Sequence, residues 1–128
     1  MSQILIIEPD HILAGLYRQS LEMAGHKVQI CAGAQSAIFC VDEFLPDIVI
    51  LELQLVGHSG LEFLYEFRSY AEWQTIPTII MTNVPPDEFA GCWQLLTNQL
   101  GVAAYHYKPH TSLKTLARSV EQLATIPA

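Results

Sequence analysis

Four short apolar runs of the sequence end on polar residues that could do chemistry. The groups that follow them are Glu8-Pro9-Asp10, Glu52, Thr82-Asn83 and Lys108-Pro109. A carboxylate can act as a nucleophile or ligate a cation, and an ammonium or hydroxyl group can stabilise an anion beside it. This set therefore predicts a polar site, provided that the fold brings the ends of these runs together.

The apolar runs predict five strands that are buried on both faces. Most of them are apolar at successive positions, which is typical of a parallel sheet covered on both sides. They are Ile4-Leu5-Ile6-Ile7, Val28-Gln29-Ile30-Cys31, Ile48-Val49-Ile50-Leu51, Ile79-Ile80-Met81 and Val102-Ala103-Ala104-Tyr105.

The segments between these runs predict five helices. Asp10 is a suitable N-cap for the first helix, and Gly25 a suitable terminator. The fourth helix is expected to begin near Pro86-Asp87-Glu88, although Gly91 weakens it. Strict alternation of strands and helices predicts an α/β fold with a doubly wound five-stranded parallel sheet between two helical layers. In such a sheet the functional crevice lies at the carboxyl ends of the strands, where the polar residues fall.

Composition limits the classes of function. The chain has 128 residues, of which 51% are hydrophobic and 15% charged, and its net charge is −7. We expect a single domain over residues 1–128, without a membrane span or a secretory signal, and a cytoplasmic location. The six basic residues are scattered, which argues against nucleic-acid binding. The three cysteines are expected to be buried free thiols.

The ordered motifs resemble those of a response-regulator receiver domain of the chemotaxis-regulator type. The resemblance covers essentially the whole chain. It rests on the segments Ile4–Asp10, Pro46–Leu53, Gly57–Glu62, Ile76–Thr82 and Tyr105–Pro109. It implies a flavodoxin-like three-layer sandwich with strand order 2-1-3-4-5.

The resemblance also implies roles for particular residues. Glu52 occupies the phosphoacceptor position, and Glu8 with Asp10 forms an acidic pocket where two acidic residues of the family help to hold Mg²⁺. Thr82 and Lys108 would contact the phosphoryl group, and Thr82 with Tyr105 would form the conformational switch. Three further positions are structural: Gly57, Gly60 and Pro109, the last in a Lys-Pro bond that is typically cis in this family.

Three residues depart from the family pattern. Glu52 stands where the family has Asp, and its side chain is longer by one bond of roughly 1.5 Å. Pro9 replaces a second acidic residue and offers neither a side-chain oxygen nor an N–H group. Asn83 stands where the family often has a small residue, and it would narrow access to the pocket.

These departures favour a stand-alone pseudo-receiver, a non-enzymatic signalling module that acts through protein contact and is not phosphorylated. No cofactor is expected, and any Mg²⁺ binding should be weak. One alternative is a working phosphorelay receiver that accepts phosphate at Glu52 or Asp10. Another is a flavodoxin-like domain that binds a small molecule such as FMN, or a metal held by His11, Glu8 and Glu52.

The expected partner is a protein, either a sensor kinase or an output protein. The favoured contact face comprises the fourth helix, the fifth strand and the fifth helix, and a homodimer could use the same face. Aromatic residues that could anchor it are Phe89, Trp93, Tyr105 and Tyr107. A second candidate contact site is the cluster Tyr65, Phe67, Tyr70 and Trp73.

Overall fold

The computed structural model describes residues 2–124. Five strands form one parallel sheet in the order β2-β1-β3-β4-β5, which confirms the predicted topology. The strands are β1 (Gln3–Ile7), β2 (Lys27–Cys31), β3 (Ile48–Leu51), β4 (Thr78–Thr82) and β5 (Val102–Tyr107). The α-helices are α1 (His11–Met23), α2 (Ala34–Phe44), α3 (Gly60–Arg68) and α4 (Leu113–Ala124).

The sheet is covered on both faces, as the continuous apolar runs predict, but the edge strands β2 and β5 are only partly buried. All of β3 and β4 is buried. One core lies beneath α2 and α3, where Ala37, Phe63 and Phe67 pack against the sheet. The other lies beneath α1 and α4, with Tyr17 and Leu116 among its members. Both cores are apolar, and the buried carboxylates Glu8 and Glu52 lie at the strand ends.

Helix α1 begins where the sequence predicts. Asp10 is its N-cap, and its carboxylate accepts hydrogen bonds from the backbone N–H groups of Ile12 and Leu13. Gly25 follows the C-cap with a φ of +96°, a left-handed conformation that glycine adopts readily. Local capping chemistry therefore fixes both ends of the helix that follows β1.

The predicted fourth helix is not an α-helix. Residues 86–99 form a 3-10 helix over Pro86–Cys92 and a π-helical turn over Leu95–Gln99. Pro86 suits the start of a helix, but Gly91 has low helix propensity and disfavours a regular α-helix here. We call these residues the 86–99 segment.

Two covalent expectations also need correction. The Lys108–Pro109 peptide bond is trans, not cis. Proline occupies the start of the 3-10 turn Lys108–His110, a position that suits its fixed φ in the usual trans form. Cys31 and Cys40 form a disulfide between β2 and α2, and Cys92 is a free thiol. The two cysteines are nine residues apart in the sequence, and this spacing alone does not predict that their sulfur atoms are paired.

Arg68 at the end of α3 forms hydrogen bonds with the segments that precede β4 and β5, at the amino-terminal edge of the sheet. Its guanidinium donates hydrogen bonds to the carbonyl groups of Trp73, Ile76 and Leu100 at 2.7, 2.6 and 2.9 Å. Burial lowers its pKa. Since this cluster lies opposite the carboxyl ends of the strands, its role is structural.

No helix within residues 2–124 is long and apolar enough to span a membrane.

Candidate functional site

The carboxyl ends of β1, β3 and β5 converge on three charged side chains. Ile7 of β1 is paired with Leu51 of β3, so the residues that follow them, Glu8 and Glu52, lie on neighbouring strands. Lys108 follows β5 and reaches back across β4 to both carboxylates.

Lys108 joins the two carboxylates in a buried charge cluster. Its Nζ lies 2.6 Å from Glu52 Oε1 and 2.7 Å from Glu8 Oε1. The exposed fractions of the three side chains are 11% for Lys108, 3% for Glu8 and 4% for Glu52. We call these residues the charge triad. Its formal charge is −1, because one ammonium faces two carboxylates.

The other carboxylate oxygens are occupied by the backbone. Glu8 Oε2 accepts from the N–H of Asp10 at 3.1 Å, and Glu52 Oε2 accepts from the N–H of Gln54 at 3.0 Å. Glu8 Oε1 meets Lys108 as an ion pair without hydrogen-bond geometry, and no other group donates to it within residues 2–124. Both carboxylates are therefore held from two sides.

The two carboxylates of the charge triad raise the pKa of Lys108. Burial alone would lower that pKa, but the hydrogen bond to Glu52 and the contact with Glu8 outweigh burial. Tyr17 of α1 lies near the triad, and burial raises its pKa to about 12. Lys108 is therefore charged and Tyr17 neutral at physiological pH.

The residues around Pro9 do not fit a Mg²⁺ site. Mg²⁺ requires near-octahedral oxygen coordination. Pro9 offers no side-chain oxygen, Asp10 caps α1, and Glu8 and Glu52 are engaged with Lys108. No three His, Cys, Asp or Glu side chains within the described residues are arranged to hold a metal ion. His11, the third member of the alternative metal hypothesis, is exposed.

Thr82 and Tyr105 meet at one residue of the loop after β4. The N–H of Val84 donates to Thr82 Oγ1 at 3.2 Å, and the hydroxyl of Tyr105 donates to the Val84 carbonyl at 2.7 Å. Thr82 is fully buried and Tyr105 half-buried. The two predicted switch residues are thus linked through the backbone of Val84, just before the 86–99 segment.

Tyr105 also connects the loop to an aromatic surface. The ring centroids of Phe89 and Trp93 lie 5.8 and 5.9 Å from that of Tyr105. Burial raises the pKa of Tyr105 to about 12, with a smaller contribution from the nearby acidic residues. Trp93 is 39% exposed, whereas Tyr107 is half-buried and packs edge-on against His110.

The second predicted contact cluster is divided between core and surface. Phe67 and Trp73 are buried and belong to the core, which corrects their assignment to a contact site. Tyr65 and Tyr70 remain exposed. Helical spacing places Phe67 on the inner face of α3 and Tyr65 on the outer face, a difference that clustering in sequence alone conceals.

Two glycines shape the loop after Glu52. Gly57 has a φ of +84°, which disfavours side chains. A Cβ atom on Gly60 would lie 2.6 Å from the carbonyl oxygen of Glu52 and 2.8 Å from Cα of Leu53. Gly60 thus permits α3 to begin directly against the strand end that carries Glu52.

Replacement of Gly60 by alanine is expected to lower the free energy of unfolding by about 1–3 kcal/mol, because backbone atoms must move to admit the methyl group. The matched control is Gly15→Ala, an exposed position in α1 with open space around it. Alanine there should stabilise the protein by about 0.5–1 kcal/mol. Urea denaturation of both variants measures the contrast, and equal effects would contradict it.

A cavity of about 350 Å³ opens beside Lys108. Asn83, which the sequence predicts to narrow access to the pocket, lies in the wall of this cavity. Tyr17 and Leu113 also line it. These two residues were not among the predicted site residues, since their periodicity indicates only helix faces.

Comparison with known proteins agrees with this architecture. The chain is 30% identical over 118 residues to the phosphate regulon transcriptional regulatory protein PhoB of Rhizobium meliloti, covering 92% of this chain and 50% of that protein. It is also 30% identical over 134 residues to the sensory/regulatory protein RpfC of Xanthomonas campestris, covering 97% of this chain and 18% of that protein. The chain thus spans half or less of the length of these relatives.

Solved structures share the fold. The chemotaxis response regulator CheY4 of Vibrio cholerae superimposes with a TM-score of 0.83 at 18% identity, covering 96% of this chain and 98% of that one. A sensor protein from Polaromonas sp. JS666 gives a TM-score of 0.84 at 19% identity and covers 94% of each chain. The sequence model of the response regulator receiver domain matches residues 4–116. The chain therefore belongs to the response regulator receiver domain family of two-component signalling.

Proposed function

We propose that this chain is a pseudo-receiver, a non-enzymatic signalling module that acts through protein contact and does not accept phosphate. The observation that carries the proposal is the position of Lys108 between Glu8 and Glu52. In this arrangement Glu52 neutralises the positive charge that Lys108 would otherwise offer to a phosphoryl group. We also propose that residues 1–128 form one receiver-like domain.

The length of Glu52 supports this proposal. A carboxylate remains a competent nucleophile in principle. In-line attack, however, requires precise placement of the reacting atoms, and an error near 1 Å can reduce the rate about a hundredfold. Glu52 is longer than Asp by roughly 1.5 Å, and its oxygens are held by Lys108 and the Gln54 N–H.

The residues that surround Pro9 support the same conclusion. Phosphoryl transfer in this family depends on Mg²⁺, and we propose that any binding of Mg²⁺ here is weak. Asp10 is a poor alternative phosphoacceptor, because its carboxylate already accepts two N–H groups at the start of α1. The contacts of the charge triad thus favour the pseudo-receiver over the phosphorelay alternative.

The proposed contact face comprises the 86–99 segment, β5 and α4. Trp93 is partly exposed there beside Tyr105, and Asp87 and Glu88 add exposed negative charge. Aromatic side chains commonly anchor interfaces, and complementary charge accelerates association. We propose that the partner is a sensor kinase or an output protein with a basic patch. The alternative is that two copies of this chain form a homodimer through the same face.

Titration with Mg²⁺ in the presence of acetyl phosphate tests the proposal. Amide NMR spectra of the wild-type chain should show no saturable shifts at Glu8, Glu52 or Lys108, and the fluorescence of Trp93 should stay flat. Saturable shifts at millimolar Mg²⁺, confined to these residues, would contradict it and favour the phosphorelay alternative.

A further inference from the structure

A groove separate from the proposed contact face lies between α2 and α3. Its volume is about 510 Å³, a size typical of binding clefts. Helix α2 packs on β1 and β2, whereas the 86–99 segment packs on β5 at the opposite edge of the sheet. The groove is lined by Ile38 and Phe39 of α2 and by Glu62, Phe63 and Glu66 of α3, with Tyr70 at one end.

The groove exposes apolar surface that the core does not use. Phe39 of α2 is 71% exposed, and Tyr70 is 38% exposed while resting against the buried Trp73. Ile38 and Phe63 form an apolar floor that joins the core. An exposed aromatic ring such as that of Phe39, next to an apolar floor, is typical of a surface that binds another apolar group.

Negative charge lines one side of the groove. Glu62 and Glu66 lie one turn apart on α3, and both are exposed. A hydrogen bond from His58 and the backbone N–H of Ser59 lower the pKa of Glu62, so its carboxylate is charged at neutral pH. Among the described residues, no Lys or Arg lines the groove.

We propose that this α2–α3 groove docks a basic amphipathic helix of a partner protein. Residues one turn apart on such a helix would place Lys or Arg opposite Glu62 and Glu66, and its apolar face would cover Phe39. A second copy of this chain fits less well, because each copy carries a net charge of −7 and the two would repel. Charge complementarity therefore favours a basic partner.

The test uses a fluorescein-labelled synthetic helix built from leucine and lysine in amphipathic spacing, and a matched peptide in which glutamate replaces lysine. Anisotropy should show saturable binding of the basic peptide and none of the acidic one. The double variant Glu62→Gln, Glu66→Gln should weaken binding about fivefold or more, since it removes two charge pairs. Glutamine can still make the hydrogen bonds to the start of α3, so folding should be retained.

Two matched controls locate the effect. The double variant Glu22→Gln, Glu121→Gln removes the same charge from exposed positions of α1 and α4, on the other face of the sheet, and should leave the affinity unchanged. Phe39→Ala should weaken binding, whereas Met23→Ala, which truncates a side chain that is 83% exposed on α1, should not. Amide shifts caused by the peptide should map to α2 and α3.

Equal losses in the two charge variants would show non-specific attraction and overturn the proposal. Absence of saturable binding, or amide shifts confined to the 86–99 segment, would do the same. A concentration-dependent dimer that Phe39→Ala abolishes would assign the groove to a second copy instead. None of these outcomes depends on phosphate, so they are independent of the pseudo-receiver proposal.

Discussion

Replacement of Glu52 by aspartate together with Pro9 by aspartate is expected to produce a chain that takes up one phosphoryl group from acetyl phosphate and Mg²⁺. The shorter side chain at position 52 would withdraw its carboxylate by roughly 1.5 Å and open space beside Lys108. The acid at position 9 would add an oxygen ligand for the cation. Intact-mass spectrometry measures the adduct directly.

The single variants separate the two requirements. Glu52→Asp alone should react much more slowly than the double variant, because position 9 still lacks an oxygen ligand. Pro9→Asp alone should remain unmodified, because Glu52 still pairs with Lys108. If the double variant is folded by circular dichroism and stays unmodified, then the departures at positions 9 and 52 are not what prevents phosphorylation.

Removal of the ammonium group by Lys108→Met is expected to lower the free energy of unfolding by about 3–5 kcal/mol. The loss arises because Glu8 and Glu52, 3% and 4% exposed, would face each other without their cation. Because the pKa of Lys108 is raised on folding, its contribution is fully present at neutral pH and is lost only as the pH rises through that pKa. Urea denaturation at neutral pH gives the value.

A double-mutant cycle identifies the cause of that loss. Adding Glu52→Gln to Lys108→Met should recover part of the stability, since it removes one of the two buried carboxylate charges that have lost their counterion. The matched control is Lys114→Met, at an exposed position of α4, where the change should be within about 0.5 kcal/mol. A loss below 1 kcal/mol in Lys108→Met would mean that the charge triad does not hold these strand ends together.

Much of the fold and of the site follows from local patterns. Continuous apolar runs predicted five parallel strands, of which the central three are buried, and the end of each run predicted where Glu8, Glu52 and Lys108 would lie. Asp10 was predicted as the N-cap of α1 because its side chain suits that position. These inferences need only the residue types near each element, and tertiary contacts did not override them.

Features that depend on tertiary contacts were beyond the sequence. A basic residue in the last turn of a helix is usually exposed. The guanidinium of Arg68 instead donates hydrogen bonds to three backbone carbonyl groups. The pairing of one lysine with both Glu8 and Glu52 depends on side-chain rotamers. The 86–99 segment departs from α-helical geometry, and of its residues only Gly91 gave a sign of this in the sequence.

The measurement that bears most directly on the pseudo-receiver proposal is the intact mass of the wild-type chain after incubation with acetyl phosphate and Mg²⁺. The proposal predicts the unmodified mass, with and without subsequent hydroxylamine treatment. A stoichiometric phosphoryl adduct that hydroxylamine removes, and that peptide mapping places on Glu52, would contradict it.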